Sequence, residues 1–441
     1  MTIVYMVLVL GVSTIFWALV GLGRAVTEEV EQHLAASTHR PRQLGTEPAG
    51  VVPSGVAVLI AAHNEELVIG DTIRAAATLV PLGNIHVISD MSSDETAQIA
   101  RRAGAKVLEL DRNQGKAGAL AAGITHFELC RYFDVVMLLD ADTRPAPDYL
   151  ETGLPLFADP TVAAVAGRAR SVMTPMPPTA LGRFLVLYRE RLYIAVQLLL
   201  KYGQAAKGAN VVSIVPGFAS MYRIKALEKV DVRAPGLVIE DFNMTFELHA
   251  KKLGRIAFHP SAATAYTQDP DTFRDYVSQM RRWVLGFWQT VRRHKIQMGK
   301  FWLALIVYVL ELMVSCLFFV LLIPLFLVSL VAAVQLQDGS TSPEIVAVAG
   351  LVRPQDVLLG VFVPDLLLTV MAAVSLRRPA ILLMAPLFPL MRIVDSAICL
   401  TVLPRGLFSH STGVWTSPPR RIEHHPPSAG ALPSSPGTAH G

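Results

Sequence analysis

Hydrophobic and polar positions divide the chain into distinct zones. Residues 2–23 carry no charge, and a run of that length matches the ~20 apolar residues that cross a bilayer. Three more apolar stretches follow Lys300, and most of the charged residues lie between Arg24 and Lys300. The pattern predicts an N-terminal transmembrane anchor at 1–24, a linker at 25–54, a soluble domain at 55–300, a membrane region of about three segments at 301–404 and a disordered tail at 405–441.

The N-terminal apolar run could instead be a cleavable signal peptide. No basic residue precedes it and no small-residue cleavage site follows, so a retained anchor is the preferred interpretation. Arg24, Lys295 and Lys300 flank the apolar segments and place the soluble domain in the cytoplasm by the positive-inside rule. We therefore expect a multi-pass protein of the cell (inner or plasma) membrane.

The number of spans stays open at this stage. An anchor and three spans would place both chain ends outside, whereas Arg405, Arg420 and Arg421 favour a cytoplasmic tail. A re-entrant or interfacial segment would reconcile the two. The first C-terminal segment, 302–336, is expected to begin at the interface and to bend at Pro324.

Within 55–300, short apolar runs alternate with amphipathic stretches. Strands are expected at 56–61, 85–89, 105–110 and 134–140, and the continuous apolar run at 56–61 is typical of a strand that is buried on both faces. Helical patterns begin at Glu66, at Ser93 or Asp94, and at Lys116. This alternation predicts an α/β domain built on a doubly wound, mostly parallel sheet.

Composition narrows the function classes. The chain is 52% hydrophobic and 17% charged, which excludes an ordinary soluble protein. Its net charge of +4 is modest and lies near the membrane segments, so we expect no nucleic-acid partner. The three cysteines, Cys130, Cys316 and Cys399, have no paired or metal-like spacing and are interpreted as free, buried thiols in a reducing compartment.

Polar residues follow each predicted strand. In a doubly wound sheet the ligand crevice lies beyond the carboxyl ends of the strands, so these side chains are expected to converge there. They are His63, Asn64 and Glu65, then Asp90, then Asp111 to Lys116, then Asp140 and Asp142.

The segment LLDADT carries the sharpest chemical signal. Strand alternation places Asp140 and Asp142 on the same side of the chain, where two carboxylates repel each other unless a cation lies between them. Hard oxygen ligands with open positions suit Mg²⁺ or Mn²⁺. The alternative is a solvated loop in which Asp142 caps a turn before Pro145.

Four other polar residues each have two interpretations. Asp90 could accept a hydrogen bond from a nucleobase imide or close a local turn. Lys116 resembles a phosphate-binding lysine, although neither a P-loop nor a dinucleotide fingerprint is present. One of Glu240 and Asp241 could be a general base, or the pair could offset a helix dipole.

The segment YVSQMRRWVLGFW lies just before the second apolar stretch. On a helix its Gln279, Arg282 and Trp283 share one face. Arginine can hold a diphosphate through two hydrogen bonds, and an indole offers an apolar face to a sugar. Arg281 and Trp288 point elsewhere and are expected to meet lipid headgroups.

These motifs together resemble a known family. VAVLIAAHNEE, VISDMSSDET, NQGKAGAL, DADT, IED and QMRRW occur in an order and spacing similar to those of the membrane-embedded family 2 glycosyltransferases, which include the bacterial poly-N-acetylglucosamine, hyaluronan, chitin and cellulose synthases. The resemblance covers residues 50–300. It implies a GT-A fold and an inverting, metal-dependent transfer from a nucleotide sugar, most often a UDP-sugar.

The resemblance also assigns roles to individual residues. It implies that Asp90 reads the uracil beside His63 and Glu65, that Lys116 faces the nucleotide, and that Asp140 and Asp142 hold the metal and diphosphate. Asp241, next to Glu240, matches the base; Gln279, Arg282 and Trp283 match the QxxRW motif; Gly217 and Phe218 lie in the acceptor loop. His63 stands where the family often has tyrosine, and Ala121 where it usually has asparagine.

The function expected from this resemblance is repeated addition of β-linked sugars from a UDP-sugar to a growing polysaccharide at the lipid bilayer, with room for accessory export subunits. Two alternatives remain. The first is a single addition to a lipid or lipid-linked acceptor, and the second is a non-catalytic, nucleotide-binding membrane subunit.

Overall fold

The structure is a computed structural model that describes residues 1–37, 50–339 and 342–409. Ten strands occur in these residues, in two sheets. They are β1 Val56–Ala62, β2 Ile85–Asp90, β3 Lys106–Leu110, β4 Val135–Asp140, β5 Arg144–Pro145, β6 Val162–Ala166, β7 Arg168–Ser171, β8 Ala219–Arg223, β9 Arg255–Ala257 and β10 Thr264–Thr267.

Sixteen α-helices occur in the same residues. They are α1 Thr2–Leu10, α2 Val12–Ser37, α3 Ile69–Ala77, α4 Thr96–Arg102, α5 Gly115–His126, α6 Leu129–Tyr132, α7 Tyr149–Gly153, α8 Ala180–Ala195, α9 Tyr202–Gln204, α10 Ile224–Leu227, α11 Asp241–Ala250, α12 Phe273–Arg293, α13 Lys300–Gln337, α14 Pro343–Leu351, α15 Pro354–Leu376 and α16 Phe388–Phe408. A π-helical turn, Val196–Lys201, joins α8 to α9.

The main sheet has seven strands in the order β3-β2-β1-β4-β8-β6-β9. The first four are parallel, and β8 is antiparallel to both of its neighbours. Every residue of β1 is buried because helices cover both faces of the sheet. Side chains of α3, α4 and α7 fill one face, and those of α5, α6 and α11 fill the other. The predicted α/β, doubly wound, mostly parallel fold is confirmed.

The local boundaries follow simple backbone chemistry. Asp94 Oδ1 accepts the Thr96 N–H at 3.0 Å at the start of α4, and Gly104 follows that helix with φ of 90°. The helix expected from Glu66 begins three residues later, at Ile69. The helix expected at 116–130 is divided by Glu128, which has φ of 48°, so α5 and α6 are separate.

A small second sheet continues from the tip of β4. Its order is β5-β10-β7, with β10 antiparallel to β5 and parallel to β7. Because β5 begins two residues after Asp142, this sheet lies next to the acidic tip of the main sheet.

The N-terminal segment corrects two predictions. It is not one straight anchor: α1 and α2 meet at Gly11 with a 72° bend, and Gly11 has φ of 86°. The Ser13 N–H at this break donates to Glu311 Oε2 on α13 at 2.7 Å. This bent pair has the form of a broken span or a re-entrant loop.

The expected linker at 25–54 begins as helix, because α2 continues to Ser37. Arg24 forms an i,i+4 ion pair with Glu28 at 2.8 Å, and the Tyr202 hydroxyl donates to Glu28 at 2.5 Å. At Gly203 a Cβ would lie 2.1 Å from the Trp17 carbonyl oxygen. These contacts fasten α2 to the soluble domain and keep it helical.

Three C-terminal helical segments are long and apolar enough to cross a membrane: Lys300–Gln337, Pro343–Leu376 and Pro379–Phe408. The bent N-terminal pair would make a fourth if it counts as one span. Helix α13 continues across Pro324, and α16 extends to Phe408, beyond the expected start of the tail at 405. The rest of that tail, with Arg420 and Arg421, lies outside the described residues. Cys316 and Cys399 are buried as expected, whereas Cys130 is half-buried; all three thiols are free.

Candidate active site

Lys116 is the centre of a cluster at the strand tips. It lies in the first turn of α5, and its Nζ is 2.6 Å from Asp140 Oδ1 and 2.8 Å from Glu240 Oε1. The side chain of Glu240 is 3% exposed. Residues that are far apart in sequence therefore share one ammonium group, as expected if the strand ends converge on one crevice.

Gly217 brings the fourth member, Asp241, into this cluster. Its carbonyl oxygen accepts from Lys116 Nζ at 3.4 Å, and its N–H donates to Asp241 Oδ2 at 3.4 Å. A Cβ at this position would lie 2.8 Å from Glu240 Oε1 and 3.1 Å from Lys116 Nζ. The loop before β8 can approach the carboxylates this closely because residue 217 is glycine.

Burial and neighbouring charges shift the proton affinities in the cluster. Burial, and then the charge of Glu240, raises the pKa of Asp241 to about 6. Burial also opposes ionisation of Glu240, but Lys116, with a smaller contribution from Arg282, lowers the pKa of Glu240 below its usual value. The pKa values of the two adjacent carboxyl groups are thus shifted in opposite directions: Glu240 favours the ionised form, and Asp241 can take up a proton near neutral pH.

Asp140 and Asp142 form the acidic pair at the end of β4. Burial raises the pKa of Asp140; Lys116 opposes this effect and the charge of Asp142 adds to it. Asp142 is 7% exposed. Two mutually destabilising carboxylates suit a divalent cation. No group of three or more His, Cys, Asp or Glu side chains that could hold a metal occurs in residues 1–37, 50–339 and 342–409.

A second group of predicted residues lies at the ends of β1 and β2. His63 Nδ1 is 2.6 Å from the Asp90 carbonyl oxygen. Asp90 is fully buried: its Oδ1 accepts the Gln114 N–H at 2.8 Å, and its Oδ2 has no hydrogen-bond partner among the described residues. Burial raises the pKa of Asp90. Glu65 is also buried, at 1% exposed. An unsatisfied buried acceptor fits recognition of a donor N–H.

Helix α12 carries Gln279, Arg282 and Trp283 on one face, as predicted. Arg282 lies close enough to Glu240 to affect its pKa. Gln279 and Trp283 meet a residue that the sequence did not single out, Arg189 of α8. The guanidinium of Arg189 donates to the Gln279 side-chain oxygen and lies 4.3 Å above the Trp283 ring. One face of the indole is therefore covered by Arg189, and Trp283 is half-buried.

Arg189 belongs to a buried network. It is 2% exposed and forms an ion pair with Asp269 at 3.5 Å. Asp269 also accepts hydrogen bonds from Ser171 at 2.6 Å and from Tyr193 at 2.9 Å. The sequence signal for this network was the run RERLY, in which charged residues interrupt an otherwise apolar helix. Charged side chains that are buried in the protein are almost always paired.

The other end of α12 corrects one prediction. Trp288 does not face lipid headgroups: it is 3% exposed and packs against α16, where a Cβ at Gly406 would lie 2.4 Å from Trp288 Cβ. Arg281 is exposed, as expected. Gly286 passes so close to the loop before α11 that a Cβ there would lie 2.0 Å from Ile239 Cγ1. The helix therefore touches the residue that precedes Glu240.

Phe218, assigned to the acceptor loop with Gly217, is half-buried against the core of the main sheet. Its carbonyl oxygen accepts the Asp140 N–H at 3.2 Å. The acceptor loop and the acidic pair are thus joined through the backbone. The structure brings together Lys116, Asp140, Glu240, Asp241 and Gly217; the individual roles of the site residues stay predictions.

This arrangement defines a class of protein. Residues 135–353 match the family model described as "Glycosyl transferase family group 2", and the chain belongs to the family 2 glycosyltransferases. The family and the GT-A architecture expected from the motifs are confirmed.

Individual relatives make the match more specific. The poly-beta-1,6-N-acetyl-D-glucosamine synthase of Staphylococcus epidermidis is 27% identical over 260 residues, which cover 55% of this chain and 59% of that protein. A probable glycosyltransferase of Bacillus subtilis is 31% identical over 246 residues, or 52% and 54% of the two chains. This chain therefore spans less than two thirds of the length of these relatives. A mannosyltransferase from Pyrobaculum calidifontis, solved with GDP-mannose and Mn²⁺, aligns with a TM-score of 0.48 at 16% identity, over 90% of this chain and 99% of its own.

Proposed function

We propose that this protein transfers a sugar from a UDP-sugar to a growing polysaccharide at the cytoplasmic face of the cell membrane, repeatedly, with inversion to a β linkage. The observation that carries the proposal is the placement of Lys116 between Asp140 and Glu240, with Asp241 beside them on Gly217. A cluster of three carboxylates and one ammonium has the groups needed to hold a divalent cation, through which a diphosphate can bind, and to deprotonate an acceptor.

Asp241 acts as the general base. Its pKa of about 6 leaves it mainly ionised at neutral pH and still able to accept a proton. It removes the proton from the acceptor hydroxyl as the oxygen attacks the anomeric carbon, and the bond to the diphosphate breaks on the opposite face. Glu240, held ionised by Lys116, keeps a negative charge next to the base and so maintains its raised pKa.

The departing diphosphate carries the developing charge. Lys116 pairs with Glu240, and Arg282 of α12 is close enough to lower the pKa of Glu240; both supply positive charge to the departing group. Mg²⁺ or Mn²⁺ would be held by Asp140, Asp142 and diphosphate oxygens and would supply further positive charge there. Asp90 accepts a hydrogen bond from the uracil, with His63 and Glu65 around it.

The acceptor reaches the cluster past α12. Gly217 and Phe218 form the floor of the approach, and the face of the Trp283 ring that Arg189 does not cover packs against a sugar ring. The name of the Staphylococcus epidermidis relative supports a polysaccharide product. Product length separates this proposal from single addition to a lipid-linked acceptor, because a single-addition enzyme leaves one new sugar per acceptor.

The test replaces the base and keeps its shape. Asp241→Asn is expected to lower sugar transfer by about 1,000-fold, since it removes general-base catalysis and an ionised group from the site. Affinity for UDP should stay near normal, because Asp241 is not assigned to the nucleotide. Transfer would be measured in nanodiscs as UDP release from a panel of UDP-sugars with Mg²⁺ or Mn²⁺.

Asp148→Asn is the matched control, since Asp148 is exposed at the start of α7, and it should retain full activity. Wild-type transfer rates in Asp241→Asn would overturn the assignment of the base. Absence of UDP release from every UDP-sugar with the unaltered protein would favour the nucleotide-binding subunit instead.

A further inference from the structure

One face of the small sheet carries an excess of positive charge. Arg144 of β5 lies opposite Tyr266 of β10, and Tyr266 lies opposite Arg170 of β7. Register neighbours share a face, and Arg168 is two residues before Arg170, so it lies on that face too. We call these four residues the arginine face.

The carboxylates around the arginine face do not balance it. Glu190 of α8 pairs with Arg170 at 2.9 Å, and Asp71 of α3 pairs with Arg144 at 2.9 Å. No described residue forms an ion pair or a side-chain hydrogen bond with the guanidinium of Arg168. Burial lowers the pKa of Arg168, and the charge of Arg170 lowers it further; Tyr266 and Glu190 oppose this shift but do not reverse it.

A half-buried guanidinium has five N–H donors in a planar fork and cannot lose its charge in a protein. Leaving these donors unpaired costs free energy. A phosphate offers acceptors at the spacing of the fork and can bind through two parallel hydrogen bonds. The arginine face therefore has the chemistry of a phosphate site.

The position of the arginine face connects it to the acceptor side of the cleft. Strand β5 begins two residues after Asp142. Ser171, at the other end of β7, donates to Asp269, which pairs with Arg189 over the Trp283 ring. The small sheet thus connects the acidic pair to the network next to α12, although Ser171 lies on the opposite face of β7 from Arg168 and Arg170.

Apolar side chains are exposed beyond the ends of β7 and β10. They are Met176 at 66%, Leu181 at 50% and Phe273 at 44%. The segments that carry them meet where Gly182 packs on the Asp271 carbonyl, at 2.7 Å for a Cβ. An anion site on a sheet whose following segments expose apolar side chains fits an amphiphile with a phosphate head and a lipid tail.

We propose that Arg168, supported by Arg170 and Tyr266, binds the phosphate group of a membrane-held acceptor. The proposal rests on the proposed sugar transfer, since it names what the acceptor carries. Inorganic phosphate has the same anionic chemistry, so an experiment has to separate the lipid from the free ion.

The experiment uses the full chain in detergent micelles. Binding of dioleoyl phosphatidate and of dioleoyl phosphatidylcholine is measured by native mass spectrometry, and binding of inorganic phosphate by calorimetry. The unaltered protein should prefer phosphatidate over phosphatidylcholine. Arg168→Gln should weaken phosphatidate binding roughly tenfold, since one charge-assisted double hydrogen bond is lost. Arg168→Lys should weaken it less, because it keeps the charge but loses the fork.

Arg131→Gln, which alters an exposed arginine on α6, is the control and should bind as the unaltered protein does. If the unaltered protein binds inorganic phosphate through Arg168 but does not prefer phosphatidate over phosphatidylcholine, the free ion is the occupant and the lipid acceptor is overturned. Unchanged phosphatidate binding in a folded Arg168→Gln overturns the proposal.

UDP release in the same samples keeps the two proposals apart. In the absence of acceptor, Arg168→Gln should still hydrolyse the donor, with water attacking the anomeric carbon and UDP leaving, because the donor residues are untouched. If the unaltered protein binds phosphatidate through Arg168 but releases no UDP, the sugar-transfer proposal fails and the phosphate site remains.

Discussion

Two clusters of buried charge differ in how completely they are paired. At the strand tips, Lys116 faces Asp140 and Glu240, with Asp241 next to them, so negative charge is in excess. Between α8 and α15, Arg191 pairs with Asp365 at 2.7 Å; the two side chains are 2% and 1% exposed. The first cluster needs a further positive partner, whereas in the second the carboxylate of Asp365 has a protein counter-charge at ion-pair distance in Arg191 and a second one, Arg392, at 3.8 Å.

The second cluster has a parallel nearby. Asp395 of α16 accepts hydrogen bonds from the hydroxyls of Tyr188 at 2.8 Å and Tyr276 at 2.6 Å. Arg191 also donates to Thr369 and to the Asp365 carbonyl. These satisfied groups join the membrane-proximal helices α8 and α12 to α15 and α16. The comparison teaches that an unpaired buried charge indicates ligand binding, whereas a paired one indicates structural attachment.

The largest expected effect comes from breaking the paired cluster. Asp365→Asn leaves the Arg191 guanidinium buried without a counter-charge and should lower the free energy of unfolding by roughly 3–5 kcal/mol. The measurement is chemical unfolding of the purified protein in detergent.

Glu344→Gln on α14, at an exposed position, is the control and should change stability by less than about 0.5 kcal/mol. The double replacement Arg191→Met with Asp365→Leu should recover much of the loss, because an apolar pair of similar volume tolerates burial. A loss below about 1 kcal/mol in Asp365→Asn would show that this pair does not hold the helices together.

The second-largest expected effect tests the cluster at the strand tips, in which negative charge is in excess. Lys116→Met keeps the length of the side chain but removes the ammonium shared by Asp140 and Glu240, so transfer should fall by about 100–1,000-fold. Stability should change little, because a carboxyl group that loses its partner can take up a proton. Activity and unfolding would be measured on the same sample. A variant that is fully active, or one that is unfolded, would erase the distinction between the clusters.

The smallest effect is the pH dependence of the base. The pKa of Asp241 is raised to about 6, so the ionised fraction falls as the pH drops through that value. We expect kcat/KM for transfer to be level above about pH 6 and to fall roughly tenfold per unit below it. A profile that stays level to pH 5 would contradict the raised pKa.

The main sheet could be predicted from the sequence because its signals are local. Strands β1 and β4 are mostly apolar runs followed by a polar tip, and the register of neighbouring strands brings Asp90 and Asp140 to one edge of the sheet. The sequence correctly placed Lys116 and Asp140 at this edge. Their direct contact could not be predicted, because it depends on the rotation of α5 about its axis.

The helix interfaces could not be predicted in the same way. Arg189 contacts Gln279 ninety residues away, and Arg191 contacts Asp365 after a longer separation. The local sequence pattern does not indicate which charged residues of one helix contact which residues of another helix. The break at Gly11 was missed for a related reason: it is stabilised by Glu311 of α13, a contact that only the folded chain creates.

The close passage of Gly286 over Ile239 has a mechanical consequence. Gly286 belongs to α12, which is attached to α16 by the hydrogen bond from Tyr276 to Asp395. Ile239 immediately precedes Glu240 and Asp241. Because Gly286 and Ile239 are in direct contact, a shift of the membrane helices would displace the neighbouring carboxylates. The rate of sugar transfer would then depend on the thickness of the surrounding lipid bilayer.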